Sequence, residues 1–484
     1  MENLILSLQY DNQLNRQIAL LKFINNYPQG VSTAIVVEHL QCTKKTLRDY
    51  IVYLNDELEN YIHIRISAKG KVTYLLRESM SIDTIVSLLY QESLTYLIVN
   101  SLLHNEQLSV NNATMKFAVS RSTLMKAINH MKAELALYQL SIAINPIKLV
   151  GDEVNIRLFL FRFYTEIGNS ALIREDSELL AKEYIEHLHQ YEDNHLYLGT
   201  FRVAFWKSIT QARRNRKCFV KLPKEYLDKM KLVSDFENFT DTYEAFYRKH
   251  WPVMSLPIDE IVWSYLILLD CVTYSDKYNE TFIPAHYRYY RKASCQLVEK
   301  INRLLTQNMN DRLRGFLINT AILSSLSKEF ELVAPGIRQF VKETHSELHQ
   351  MWKFELEQSD LSFRYLDDIA TNLAILQFSS LSKKQKFKII FTFQGAKGFS
   401  DYLAEMSKIL LLATIEPIYC LEYPVTDEVI SQMNANLVIC NYDLFLKNSA
   451  KVPVVRLSNI PLFNDWEMAR EKIDQLLSKY NEIA

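Results

Sequence analysis

The residues of this chain best suited to chemistry are cations and small hydroxyls that open two short helices. Lys44, Lys45 and Arg48 follow Thr43, and Arg121, Ser122 and Lys126 follow Ser120. Lysine and arginine neutralise phosphate, and an arginine fork can read a guanine edge in the major groove. Around the second set runs Ala118–Leu135, AVSRSTLMKAINHMKAEL. Val119-Ser120 reads as a turn and Ser120 as a helix cap. Leu124, Ile128, Met131 and Leu135 then fall at i, i+4, i+7 and i+11, one apolar stripe that must pack on the preceding helix. This is the pattern of a helix-turn-helix. A helical hairpin inside an all-α enzyme uses the same packing, so one copy does not settle the matter.

A second copy weighs against that alternative. Gln41–Leu58, QCTKKTLRDYIVYLNDEL, aligns when Thr46-Leu47 is laid on Thr123-Leu124, 77 residues on. Ile51 then meets Ile128, Leu54 meets Met131, Glu57 meets Glu134 and Leu58 meets Leu135. After the first copy, IHIRI, SAKGK and VTYLLR read as strand, turn and strand, a wing carrying Arg65, Lys69 and Lys71. Those cations are placed to touch phosphates, or equally to solvate a hairpin. The second copy is followed by a weakly basic wing, LSIAI, Asn145-Pro146 and KLVG. Arg48 and Arg121 can read guanine, and Asn129 adenine if it faces the groove.

The elements that must hold these residues belong to a long and ordinary chain. It has 484 residues, 48% hydrophobic and 23% charged, enough for several domains. Only 9 Gly and 11 Pro leave room for long helices. The net charge of −1 supplies no global attraction to nucleic acid, so affinity must come from local patches. Cys42, Cys218, Cys271, Cys295, Cys420 and Cys440 are scattered, without a CxxC or a secretory signal. Free thiols in a reduced, cytoplasmic protein are expected. Ile261–Leu269 is too short to span a membrane and reads as a buried helix. No membrane, cofactor or metal is expected.

Taken in order, a winged helix-turn-helix occupies 1–78 and a second helix-turn-helix 79–158. The latter is introduced by one long helix from Ser81 to about His104. Gly151-Asp152-Glu153-Val154-Asn155-Ile156-Arg157 then leads into the aromatic helix LFLFRFYTEI. This order of parts, with the tandem helix-turn-helix and the GDEVNIR junction, resembles the Mga/AtxA family of virulence regulators from Gram-positive bacteria, regulators with phosphotransferase-system regulatory domains. The resemblance covers the whole chain in domain order. It implies two helical regulatory bundles, here 159–283 and 284–384, and a small α/β domain like the enzyme IIB component at 385–484. The fold class expected is therefore mainly α and multidomain, closed by a small parallel sheet.

The resemblance also implies phosphorylation of the bundles on histidine by phosphocarrier proteins, and homodimerisation. This chain departs from the pattern. Phe205, Trp206 and Lys207 stand where the first family histidine is expected, and Leu376, Gln377 and Phe378 where the second is. The loop after the first strand of the last domain, Thr392–Gly398, has no cysteine nucleophile. The nearest phosphorylation candidates are His187 and His189, off the family positions. His187-x-His189 with His195, and His345-x3-His349, lack a further ligand at motif spacing, so neither reads as a metal site. Arg213-Arg214-Asn215-Arg216-Lys217 reads as a solvated helix end. The expected function is a DNA-binding transcription regulator, an activator rather than an enzyme, acting on double-stranded promoter DNA as a homodimer. The competing class is a phosphorelay or sugar phosphotransferase-system component with vestigial helix-turn-helix units.

Overall fold

Capping side chains set most element boundaries in the first 150 residues. After α1 (Leu4–Leu8), Asp11 accepts from the amides of Gln13 and Leu14 and starts α2 (Asn12–Asn25). Ser32 opens α3 (Thr33–His39) and Thr43 opens α4 (Lys44–Glu57). Strands β2 (Ile62–Ile66) and β3 (Lys71–Leu76) form the wing hairpin, and the short β1 (Val31–Ser32) pairs on the other edge of β3. In β2 the buried Ile62 and Ile64 alternate with exposed His63 and Arg65, as one covered sheet face requires.

The long helix expected from Ser81 to His104 is instead two, α5 (Ile82–Gln91) and α6 (Leu94–Leu103). Ser93 takes extended backbone between them and accepts from the Tyr96 amide at 3.2 Å. Apolar residues continue across the break because both helices are buried, so hydrophobic pattern alone hid it; the serine was the signal. Next come α7 (Val110–Lys116), α8 (Arg121–Leu137) and the two-stranded β4 (Ser141–Ile144) and β5 (Ile147–Val150).

From here the chain is helical: α9 (Glu153–Ile167), α10 (Glu175–His189), α11 (Thr200–Arg214), α12 (Lys224–Met230), α13 (Phe236–His250), α14 (Ile258–Leu266) and α15 (Leu268–Cys271). Their core is aromatic: Phe161 stacks on Trp206 at 4.1 Å, and Trp206 meets Trp263 edge-on at 5.7 Å. Further on lie α16 (Cys295–Leu304), α17 (Asp311–Leu326), α18 (Pro335–Thr344), α19 (Ser346–Gln358) and α20 (Leu366–Lys384).

The last hundred residues alternate β6 (Phe387–Thr392), α21 (Phe399–Ser407), β7 (Ile415–Tyr419), α22 (Asp427–Met433), β8 (Leu437–Cys440), β9 (Val454–Arg456) and α23 (Phe463–Ile483). The four strands are all parallel, in the order β7-β6-β8-β9. Ile389 and Phe391 face a core that includes Trp466 and Ile473, while Ile390 faces one with Val425 and Ile430. A parallel sheet buried on both faces is thereby satisfied.

This computed structural model describes residues 4–77, 80–167, 172, 175–189, 198–230, 236–252, 255–274, 295–305, 311–384, 387–394, 398–411, 415–421, 425–442, 444 and 452–483. It is mainly helical, and it divides into units Met1–Ala374 and Ile375–Ala484. The expected junction of the two bundles, at 283 and 284, lies outside the described residues. Among the described residues no helix is long and apolar enough to cross a membrane. The apolar run from Ile261 is buried in and just after α14.

Candidate nucleic-acid interface

The 77-residue repeat extends beyond the alignment that revealed it. Ser32 and Ser109 cap the first helices of the two units, and Thr43 and Ser120 cap the second. Each second cap accepts the amide three residues on at 3.1 Å. The turn residues Gln41 and Ala118 both take left-handed backbone, at φ 48 and 52. Buried Leu47, Tyr50, Ile51, Leu54 and Leu58 correspond in order to Leu124, Ala127, Ile128, Met131 and Leu135. Full burial of a Leu, Ile or Met side chain contributes roughly 1.5–3 kcal/mol, so this stripe fixes each recognition helix on its scaffold.

All nine predicted contact residues, Lys44, Lys45, Arg48, Arg65, Lys69, Lys71, Arg121, Ser122 and Lys126, are solvent-exposed. The two recognition helices differ, however. Ser122, Lys126 and Asn129 lie within about 60° of arc on α8, all exposed. Their counterparts on α4 are Lys45, Asp49 and Val52. Within Lys44–Glu57 three cations (Lys44, Lys45, Arg48) face three carboxylates (Asp49, Asp56, Glu57), whereas Arg121–Leu137 carries three cations (Arg121, Lys126, Lys132) and only Glu134. The second unit has the more cationic reading helix and the first has the more cationic wing. The second wing turns in two residues, Asn145-Pro146, and Lys148 is its one cation.

Sequence reasoning missed Asn55. From α4 its side-chain amide donates to the Ile64 carbonyl at 2.8 Å and its carbonyl accepts the Ile64 amide at 2.7 Å. Because β2 is an edge strand, this clamp satisfies a backbone pair the sheet leaves open and locks the wing to the reading helix. Across the hairpin, Arg65 Nε donates to Thr73 Oγ1 at 3.4 Å.

The reading of Arg213–Lys217 as a solvated helix end is only half right: Asn215, Arg216 and Lys217 are exposed, but Arg213 and Arg214 are buried. Arg213 pairs with Glu153 at 2.8 Å and donates through Nη1 to the Leu102 carbonyl at 2.8 Å, at the end of α6. Arg214 and Arg157 both grip the wholly buried Glu260, at 2.6 and 2.7 Å. Burial alone would raise the Glu260 carboxyl; the two guanidinium groups and the Val220 amide outweigh it and hold it below the ordinary range. The charged run is the joint between the second helix-turn-helix and the helical region behind it. Glu153 and Arg157, inside the GDEVNIR stretch, were its signal on the sequence side.

Against this geometry, residues 78–164 match the Mga helix-turn-helix domain. The capsule synthesis positive regulator AcpB of Bacillus anthracis is 20% identical over 96% of this chain and 99% of its own length. The anthrax toxin expression trans-acting positive regulator of the same organism is 29% identical over 32% of each chain. The probable licABCH operon regulator of Bacillus subtilis is 23% identical over 34% of this chain and 28% of its own. The chain carries an Mga helix-turn-helix domain and is similar along most of its length to a regulator of the Mga/AtxA type. Its family match covers the second helix-turn-helix, the unit with the more cationic reading helix.

Elsewhere in this Mga/AtxA-type chain the remaining predicted residues fall as follows. His187 is half-buried, with Nε2 at 3.2 Å from the Thr242 carbonyl. The side chain of His189 and the whole of His195 lie outside the described residues. His345 and His349 do not share one helix face: His345 sits at the break between α18 and α19, and buried His349 places Nε2 at 3.1 Å from the Asp367 carbonyl. At the first family position Phe205 and Trp206 are buried, while Lys207 is half-buried among ring faces. At the second, Leu376, Gln377 and Phe378 lie in α20. Cys420 and Cys440 are buried, and desolvation raises the Cys420 thiol. Part of the loop after β6, residues 395–397, lies outside the described residues.

Proposed function

We propose that this Mga/AtxA-type regulator activates transcription by gripping promoter duplex with both helix-turn-helix units, the second leading. The observation that carries this is the repeat itself: two capped helices on corresponding apolar stripes, each presenting exposed cations at its start. Arg121, Ser122, Lys126 and Asn129 form the principal reading face. Lys44, Lys45 and Arg48, with Arg65, Lys69 and Lys71 of the wing, hold backbone phosphates. The names of its relatives, positive regulators of capsule and toxin expression, support activation. Selection of bound fragments from a genomic duplex library, followed by a reporter driven by the winners, tests the reading. A protein that enriches no fragment, or enriches fragments that leave the reporter unchanged, contradicts it.

The finer organisation belongs to the same proposal. We read 159–283 and 284–384 as regulatory bundles and 385–484 as an enzyme IIB-like module used for contact, since its first loop lacks a cysteine. A homodimer is supported by exposed Ile460, Leu462, Phe463 and Met468 in the C-terminal unit. Equilibrium sedimentation of the wild type and of Leu462→Asp with Phe463→Asp checks this. Phosphocarrier input, if taken at His187 Nε2, must displace the Thr242 carbonyl from that nitrogen. Phosphoryl transfer from a phosphocarrier to His187→Ala at the wild-type level would place the acceptor elsewhere.

A further inference from the structure

A cavity of about 710 Å³ opens within the first unit, where the end of α6 meets α10, α11 and α13. That is the size of an ordinary small-molecule site. Its lining among the described residues includes Lys207, Arg214, Arg216 and His104, and contains no aspartate or glutamate. Arg214 is already neutralised by Glu260. Lys207 is not neutralised by any described carboxylate: its ammonium lies 3.9 Å from the ring centre of Tyr184, 4.4 Å from that of Phe246 and 5.8 Å from that of Trp251. Glu183, whose charge reaches it from a distance, is engaged by Lys249 at 2.6 Å and His250 at 3.3 Å.

The cationic field is felt inside the cavity. Burial, then the Arg214 charge, pushes Lys207 well below the usual lysine range. Burial, with Arg216 and Lys116, lowers His104 despite the opposing pull of Glu106. Charging an amine held on aromatic faces, with no counter-ion among the described residues, is costly, and an arriving anion would relieve that cost. The remaining wall is aromatic, including Tyr243, Tyr247 and Trp251.

We propose that this cavity binds a small organic anion, its phosphate or carboxylate head at Lys207 and its apolar or aromatic body against Tyr247 and Trp251. Because Asn100, Leu103 and His104 of the α6 end also line it, the occupant touches the scaffold of the second helix-turn-helix directly.

The test is calorimetric titration of the full-length protein, with tryptophan fluorescence in parallel, and uses no DNA, so its failure leaves the DNA-binding reading standing. Four probes separate head from body: phenyl phosphate, phenylacetate, inorganic phosphate and benzyl alcohol. Saturable binding of phenyl phosphate or phenylacetate, at least about tenfold tighter than benzyl alcohol, is expected; which anion is preferred identifies the head. Lys207→Met should weaken it by about 10- to 100-fold, the worth of one charge-assisted contact, while Lys207→Arg retains most of it. The polar Lys207→Gln decides the case should Lys207→Met fail to fold. Absence of saturation by either anion, benzyl alcohol binding as tightly as they do, or Lys207→Gln binding like the wild type overturns the proposal.

Discussion

Replacing Arg121 and Lys126 together by alanine removes two exposed cations that take part in no described ion pair. Neither touches the apolar stripe of α8, and Ser120 still caps the helix. Stability should therefore move by no more than about 0.5 kcal/mol, so any loss of binding reports on DNA contact. Each phosphate contact contributes about 0.9 to the slope of log affinity against log salt. If both side chains hold phosphates, the slope should fall by about 1.8. The gap between wild type and variant would then narrow roughly 12-fold between 50 and 200 mM salt. If Arg121 reads a guanine instead, the slope should fall by only about 0.9, and the Arg121 share of the loss should vanish on a site carrying a different base there. Fluorescence anisotropy on an enriched duplex at five salt concentrations distinguishes these cases. Unchanged slope and affinity would refute the assignment of α8 as the leading reader, and Lys44→Ala with Lys45→Ala should then show the larger effect.

Other expectations follow from individual contacts. Asn55→Leu leaves the Ile64 amide and carbonyl without their partners and should cost about 1–3 kcal/mol, with early hydrogen exchange in the wing as its signature. Gly151→Ala puts a Cβ 2.5 Å from Leu140 Cδ2 and 3.1 Å from the Gln139 carbonyl, at φ +150; a loss of about 1–3 kcal/mol in a denaturant melt is expected. Glu260→Ala strands Arg157 and Arg214 in the core and should cost about 3–5 kcal/mol. Because Glu260 is held below the ordinary range in the folded chain, its contribution is complete above the unfolded value near 4.3 and is lost as pH falls through the lower folded one. Wild-type stability should thus drop below about pH 4 more steeply than that of Glu260→Gln, read by melts across pH.

The helix-turn-helix units were legible because two independent signals coincide in them: a cap and an apolar stripe of helical period. Repetition at one offset then removed chance. What was not legible depends on contacts between distant segments. Nothing near Arg213 announces that Glu153, 60 residues earlier, and the Leu102 carbonyl will meet it. A run of cations at a helix end looks solvated until its partners are placed. Asn55 was hidden for the same reason, since an asparagine in a helix gives no sign of the strand edge it will clamp. The broken helix at Ser93 is a different failure, in which burial of both halves erased the change in periodicity that marks a boundary.

The joint would give an occupant of the proposed cavity a route to the proposed reading helix. Arg213 reaches a carbonyl of the last turn of α6, and α6 packs directly on α8. From the next residue of the same helix, Arg214 shares Glu260 with Arg157 of α9. A shift of α11 would strain the Arg214 contact to Glu260 and, through Arg213, the contact to the end of α6. The cavity lies against this same stretch of α11, with Lys207, Gln211 and Arg214 along its wall. Filling it would therefore act on α11, which Arg213 ties to the end of α6.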